Sequence, residues 1–187
     1  MSKKNYEFEG ARAGIRETAT RLFTSGGIHA SSLADIAKAA KLSKGTLYYY
    51  YPTKEYLVMD IAEHHLNKMR DTIFSWIDAL NAKMCVTEAL VALIHALLED
   101  EAGMQLHFVL MCEAMRGDGA LRNRFASKNK EWCVMLEVGL LKIPDSGAAR
   151  VKSVCKSFFA LFDGCALHRL MGEDIDANVL LRLLTEE

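Results

Sequence analysis

Proline is nearly absent: only Pro52 and Pro144 interrupt the 187 residues. With so few breakers, and with Ala, Leu, Lys, Glu and Met plentiful, the composition is that of an all-α protein. No window alternates apolar and polar residues strongly enough for a strand. No apolar run is long enough to span a bilayer. The first fifteen residues are polar and charged, without the apolar core of an export signal. The five cysteines (Cys85, Cys112, Cys133, Cys155, Cys165) are odd in number, widely spaced and free of any Cys-x-x-Cys. In a chain without an export signal they read as reduced, buried thiols, and the protein as cytoplasmic with no membrane partner. A phosphate-cradling glycine loop, a Gly-x-Ser-x-Gly elbow and a His-Glu-x-x-His pair are all missing. The expectation is a protein that is not an enzyme and that carries neither cofactor nor metal.

What the chain does have is an uneven charge. Residues 1–54 hold nine Lys or Arg (Lys3, Lys4, Arg12, Arg16, Arg21, Lys38, Lys41, Lys44, Lys54) and four acids, a net of +5 that leaves -6 for the remainder. A basic head on an acidic body suits a polyanion-binding module joined to one that binds something else. The apolar spacing predicts helices at about 11–25, 33–40, 44–50 and 54–79, behind a loose polar leader at 1–9. Further helices are expected near 87–101, 104–116, 119–142, 147–171 and 177–185, about nine in all. Gly26 and Gly27 close the first, Ser32 with Asp35 has capping-box spacing, and Ser43 and Thr53 cap the third and fourth. Later starts are expected at Thr87, Asp118, Ser146 and Asp176, with breaks at Gly103, Gly117 and Pro144 to Gly147. Two short helices across a three-residue turn make a helix-turn-helix.

The third helix concentrates the information: Ser43-Lys44-Gly45-Thr46-Leu47-Tyr48-Tyr49-Tyr50, then Tyr51-Pro52-Thr53-Lys54-Glu55-Tyr56-Leu57. Its start offers free backbone N–H groups and the positive end of a dipole. Leu47 is the one strongly apolar side chain inside it, which leaves Lys44, Thr46, Tyr48 and Tyr49 outward, and Gly45 lets another backbone come close. Four consecutive tyrosines cannot all be buried, because neighbours on a helix differ by about 100°. Tyr51 and Tyr56 read as core edge, while Tyr48 and Tyr50 are free to contact DNA.

On these residues segment 11–57 resembles the N-terminal domain of the TetR family of transcriptional regulators. The match runs through Asp35, Ile36, Ala37, Ser43, Gly45, Leu47, Tyr48, Tyr50, Lys54, Glu55 and Leu57, about a quarter of the chain. The resemblance implies phosphate contacts from Ser31 or Ser32, Tyr48, Tyr50 and Lys54, and base-edge contacts from Lys44, Thr46 and Tyr49. Two positions depart from the family pattern. Lys41 stands where a turn glycine is usual, and Tyr51 replaces a phenylalanine, so its hydroxyl needs a partner if buried. The implied function is a dimeric repressor on double-stranded operator DNA, with a head at 1–53 and an effector-binding, dimerisation body at 54–187.

In the body, Val151, Val154, Cys155, Phe158, Phe162 and Cys165 recur at three and four and read as core or homodimer interface. For a small-molecule effector, apolar or amphiphilic, the expected liners are His107, Met111, Cys112, Met115, Trp132, Met135, Phe159 and Asp163, in a chain with nine methionines. A metal or redox sensor is a weaker reading: His107 and Cys112 are five apart, off a common helical face, whereas Cys165 and His168 share one but make only two ligands. His64 and His65 read as solvated or hinge residues. An effector-free architectural DNA-binding protein is the other alternative.

Overall fold

Residues 3–117, 119–144, 146–173 and 175–185 are described by the computed structural model, with side chains from residue 8 onward except 148–150 and 183–185. Among them the chain is all-α: α1 (Lys3–Gly26), α2 (Leu33–Ala39), α3 (Lys44–Tyr50), α4 (Lys54–Ala79), α5 (Val86–Leu98), α6 (Glu101–Arg116), α7 (Gly119–Leu140), α8 (Ala148–Leu170) and α9 (Ala177–Thr185), with a 3₁₀ turn at Ile28–Ala30. The expected leader is not loose, since α1 already includes residues 3–9. Asp118, expected to start a helix, lies outside the described residues.

The chain divides into two compact units, Met1–His65 with Gln105–Leu121, and Leu66–Met104 with Arg122–Glu187. In the first, Ile15, Ala19 and Phe23 of α1 pack with Leu33, Ile36 and Ala37 of α2 and with Leu47 of α3, all buried. Gly27, at φ 84°, ends α1 in a conformation that a side chain would strain, and its N–H donates to Phe23 O at 2.8 Å.

In the second unit, Leu66, Met69, Ile73 and Trp76 of α4 share the interior with Leu90, Leu93 and Ile94 of α5. Trp76 Nε1 donates to Ala89 O at 2.7 Å, so the buried indole is satisfied. Helix α9 packs on α5 and α8. The stripe Val151, Val154, Cys155, Phe158, Phe162 and Cys165 fills this interior, buried within a single chain. Of the two expected roles, core or homodimer interface, this burial fits the first.

Several helix starts differ from expectation. α5 is capped by Cys85 instead of beginning at Thr87: Cys85 Sγ accepts from Glu88 N, and Glu88 Oε2 accepts from Cys85 N at 3.0 Å. Gly103 is no break but lies in the first turn of α6, where its N–H donates to Asp100 Oδ1 at 3.1 Å. Before α8 the cap position is Gly147, at φ 70°, and Ser146 is buried. Asp176 performs as expected, accepting from Asn178 N at 2.8 Å.

Gly139 of α7 lies where a Cβ would stand 3.0 Å from both Ile77 and Trp76. Overpacking of this kind costs roughly 1–3 kcal/mol. Gly139→Val should lower the denaturant midpoint by that amount in equilibrium unfolding. An unchanged midpoint would show that α4 and α7 are less tightly packed than these distances require.

Candidate nucleic-acid interface

Helix α2 begins with a complete capping box: Asp35 N donates to Ser32 Oγ at 3.2 Å and Ser32 N to Asp35 Oδ2 at 2.9 Å. The Ser32 hydroxyl, and next its backbone N–H, hold the Asp35 carboxyl below the usual carboxylate range. At the other end Lys41 N donates to Lys38 O at 3.1 Å and Leu42 N to Ala37 O at 2.9 Å, the paired bonds of a Schellman closure. That closure puts Lys41 at φ 57°, the left-handed conformation in which a glycine is usual. The chain turns and Ser43 caps α3, accepting from Thr46 N at 3.0 Å.

On α3 only Leu47 is buried. Lys44, Gly45, Thr46, Tyr48 and Tyr49 are exposed, Tyr49 the most at 73%. Tyr50 is half-buried, its ring centroid 4.9 Å from that of Phe8. Three expected contacts are altered by what holds them. Ser31 is buried, which leaves Ser32 as the exposed hydroxyl of that pair. The Thr46 hydroxyl shares a 2.8 Å hydrogen bond with Ser43 Oγ, so it reaches outward mainly through its methyl and remaining lone pairs. Lys54 is half-buried with Nζ 5.9 Å from the centre of the Phe23 ring. Tyr56, expected at a core edge, is exposed at 56%.

Beneath α3 lies a cluster that helical periodicity does not reveal. Tyr51 is fully buried and its hydroxyl donates to Asp60 Oδ2 at 2.6 Å. Arg12 approaches Asp60 Oδ1 at 2.7 Å and Arg16 approaches Oδ2 at 3.1 Å. Burial alone would push the Asp60 carboxyl up, but the hydrogen bonds from Tyr51 and Arg16 and the charges of both arginines outweigh it and hold it low. Tyr51 is pushed up, first by burial and then by its bond to Asp60. Two of the nine basic side chains of the head are thus committed to an internal carboxylate and are not offered to a polyanion. The one clue in the sequence was the tyrosine at position 51.

The expected effector liners are divided between the units. In the first, His107 is buried and shares a 2.9 Å hydrogen bond with His65, which is buried as well and not solvated, whereas His64 is exposed. Cys112 lines a cavity of about 300 Å³ with Ile28, His29, Phe108 and Glu113, where His29 Nε2 meets Glu113 Oε2 at 2.9 Å. Met111 is half-buried and Met115 is 69% exposed. In the second unit Trp132 and Phe159 are buried with ring centroids 5.4 Å apart, and Met135 and Asp163 are half-buried. Of the thiols, Cys155 and Cys165 are buried, Cys133 is half-buried, and Cys85 and Cys112 are exposed. Burial pushes Cys155 up to about 12.

A three-helix unit with a capped seven-residue helix, one buried anchor and an exposed polar front is a helix-turn-helix domain. Residues 15–61 match the model of the bacterial regulatory proteins of the tetR family. An HTH-type transcriptional regulator of Bacillus subtilis, YuxN, is 41% identical over 54 residues, 29% of this chain and 19% of that one. The HTH-type transcriptional regulator UidR of Escherichia coli is 28% identical over 120 residues, 62% of this chain and 58% of that one. The matches thus span less than two thirds of these relatives. Among solved structures, Salmonella enterica GusR aligns with a TM-score of 0.74 at 21% identity, over 95% of this chain and 96% of that one. A transcriptional regulator from Saccharomonospora viridis in complex with choline gives 0.74 at 20%, over 94% of each. Residues 15–61 are thus similar to the tetR family of bacterial regulatory proteins, and the all-α fold of the chain is similar to that of solved regulators.

Asp60→Asn removes the charge that holds three donors and should destabilise the protein by about 1.5–3 kcal/mol, the usual worth of a hydrogen bond to a charged group. Because the folded carboxyl is held low, its stabilisation is complete above the unfolded value near about 3.9 and is lost as pH falls below it. Unfolding midpoints measured from pH 7 to pH 3 should therefore fall less steeply in Asp60→Asn. Leu47→Ala should cost roughly 2–5 kcal/mol as a core truncation. Full stability of that variant would mean that α3 is not anchored by Leu47.

Proposed function

We propose that the chain is a DNA-binding transcriptional regulator, a dimeric repressor released from its operator by a small apolar or amphiphilic effector. The observation that carries this reading is the front of α3, where Lys44, Gly45, Thr46, Tyr48 and Tyr49 are exposed around a single buried leucine. Lys44 and Thr46 would read base edges, and Tyr48, Tyr50, Ser32 and Lys54 would position the phosphate backbone. The role is one of binding and not of catalysis. In this division residues 1–53 bind DNA and residues 54–187 bind the effector and a second copy.

A dimer suits the reading because two recognition helices must reach successive major grooves on a roughly palindromic site. With the Val151 to Cys165 stripe already buried, the isologous face falls to the exposed apolar side chains of the same helices. These are Val134, Val138 and Leu141, at spacings of four and three on and just beyond α7, with Leu167 and Met171 at the end of α8. Helix α4 begins next to α3 and continues into the second unit, which makes it the natural lever. The effector acts only if it binds the non-operator state more tightly, and operator must then weaken effector by the same factor.

The test is fluorescence anisotropy on duplexes from upstream of the gene, titrated over several salt concentrations against competitor DNA. Specific binding should survive competitor, and Lys44→Ala should shift operator preference by about 1–3 kcal/mol if a bidentate base contact is lost. Lys54→Ala should weaken all DNA alike and flatten the salt slope by about 0.9 per phosphate contact. Val138→Glu should give monomers in sedimentation velocity and lose operator affinity. Binding that competitor abolishes on every duplex would reject a sequence-specific regulator.

A further inference from the structure

Most of the inward face of α7 is apolar, with Leu121, Leu136 and Leu140 fully buried. Between them the same face carries Arg124, Lys128 and Trp132, spaced one turn apart, and each of these side chains donates hydrogen bonds without accepting any. Trp132 is 3% exposed and its indole Nε1 meets no hydrogen-bond acceptor among the described residues. Lys128 is 4% exposed, although an ammonium is among the groups least often buried. Its Nζ reaches Glu131 Oε2 at 2.8 Å, but that carboxylate belongs to a side chain 42% exposed on the outer side of the helix, and an ammonium has three protons to donate. Buried N–H donors are almost always satisfied, and a buried cation is stable only when paired.

We infer that this face of α7 holds the acidic group of an organic anion, a carboxylate that accepts from Trp132 Nε1 and Lys128 Nζ. Residues four apart on a helix have Cβ atoms about 6 Å apart, close enough for the two oxygens of one carboxylate to bridge their side chains. The Trp132 ring stands 5.4 Å from Phe159, which in turn meets Phe158 edge-on at 5.3 Å, so the apolar remainder of the ligand has an aromatic wall beside its acidic group. The chemistry of the face favours an anion over the alternatives. A carboxylate accepts charge-assisted hydrogen bonds from an indole N–H and an ammonium at once, whereas an alcohol accepts only through neutral lone pairs and a quaternary ammonium accepts none. This inference rests on the reading of the body as an effector domain and narrows the effector class to amphiphilic carboxylic acids.

The experiment titrates the full chain with decanoate, and with decanol and decyltrimethylammonium as neutral and cationic probes of the same chain length. Binding is read by tryptophan fluorescence and by thermal shift, with anisotropy on an operator duplex in parallel. Decanoate should bind at least tenfold more tightly than decanol and perturb the fluorescence. Trp132→Phe should remove that perturbation, because the other tryptophan, Trp76, already donates to Ala89 O. Lys128→Met should abolish the preference for decanoate over decanol. Trp132→Phe keeps an aromatic ring and should lower decanoate affinity several-fold with decanol unchanged, which covers the case in which Lys128→Met fails to fold. Equal or weaker binding of decanoate relative to decanol, or parental affinity in both variants, would overturn the assignment. A neutral or cationic amphiphile that binds and frees the operator would overturn it while leaving effector release standing. Decanoate that binds at Trp132 without freeing the operator would support it and reject release by that ligand.

Discussion

The head depends on one carboxylate. Asp60 of α4 accepts from Tyr51 at the end of α3 and from Arg12 and Arg16 of α1, so a single acceptor ties three segments together. A seven-residue helix such as α3 has too few internal hydrogen bonds to hold its own direction in water. Its direction is imposed by Leu47 below and by Tyr51 at its exit, and the exposed front is aimed only because the back is fixed. The two arginines and the Tyr51 hydroxyl also offset the cost of partly burying the Asp60 carboxylate, since burial alone pushes its pKa up.

Much of this was legible because local chemistry decides it. The capping box at Ser32 and Asp35, the cap at Ser43, the glycine stop of α1 and the left-handed Lys41 are short-range events, written within four residues of where they act. The anchor role of Leu47 was legible for the same reason, since it is the one apolar side chain in its helix. Asp60 was not, because it is nine residues from Tyr51 and more than forty from the arginines. The hydroxyl at position 51 said that a partner was needed without saying which.

In the body, periodicity identified an apolar stripe on α8 correctly but could not say what it faces. A buried stripe and an exposed one have the same spacing, and only the fold separates Val154 and Phe158, which are buried, from Val138 and Leu167, which are exposed. The histidines show the opposite failure. His64 and His65 are adjacent in sequence, yet one is exposed and the other buried against His107, because neighbours on a helix point about 100° apart. On α7 Trp132 was singled out but Lys128 was not, since a charged residue in a helical pattern is ordinarily counted to the wet side, and Lys128 is buried.

Helix α4 is claimed by both units, and this sets the smallest piece of the chain that can stand alone. A fragment ending before Lys54 would keep every residue expected to touch DNA, apart from that lysine, and would lose Leu57, Val58, Asp60 and Ile61, three buried side chains and the acceptor that Tyr51 requires. The unit as folded also recruits Gln105–Leu121 from far along the sequence. The residues expected to touch DNA and the residues needed to fold the head therefore have different limits in this chain, and the head cannot be cut away at the point where the former stop.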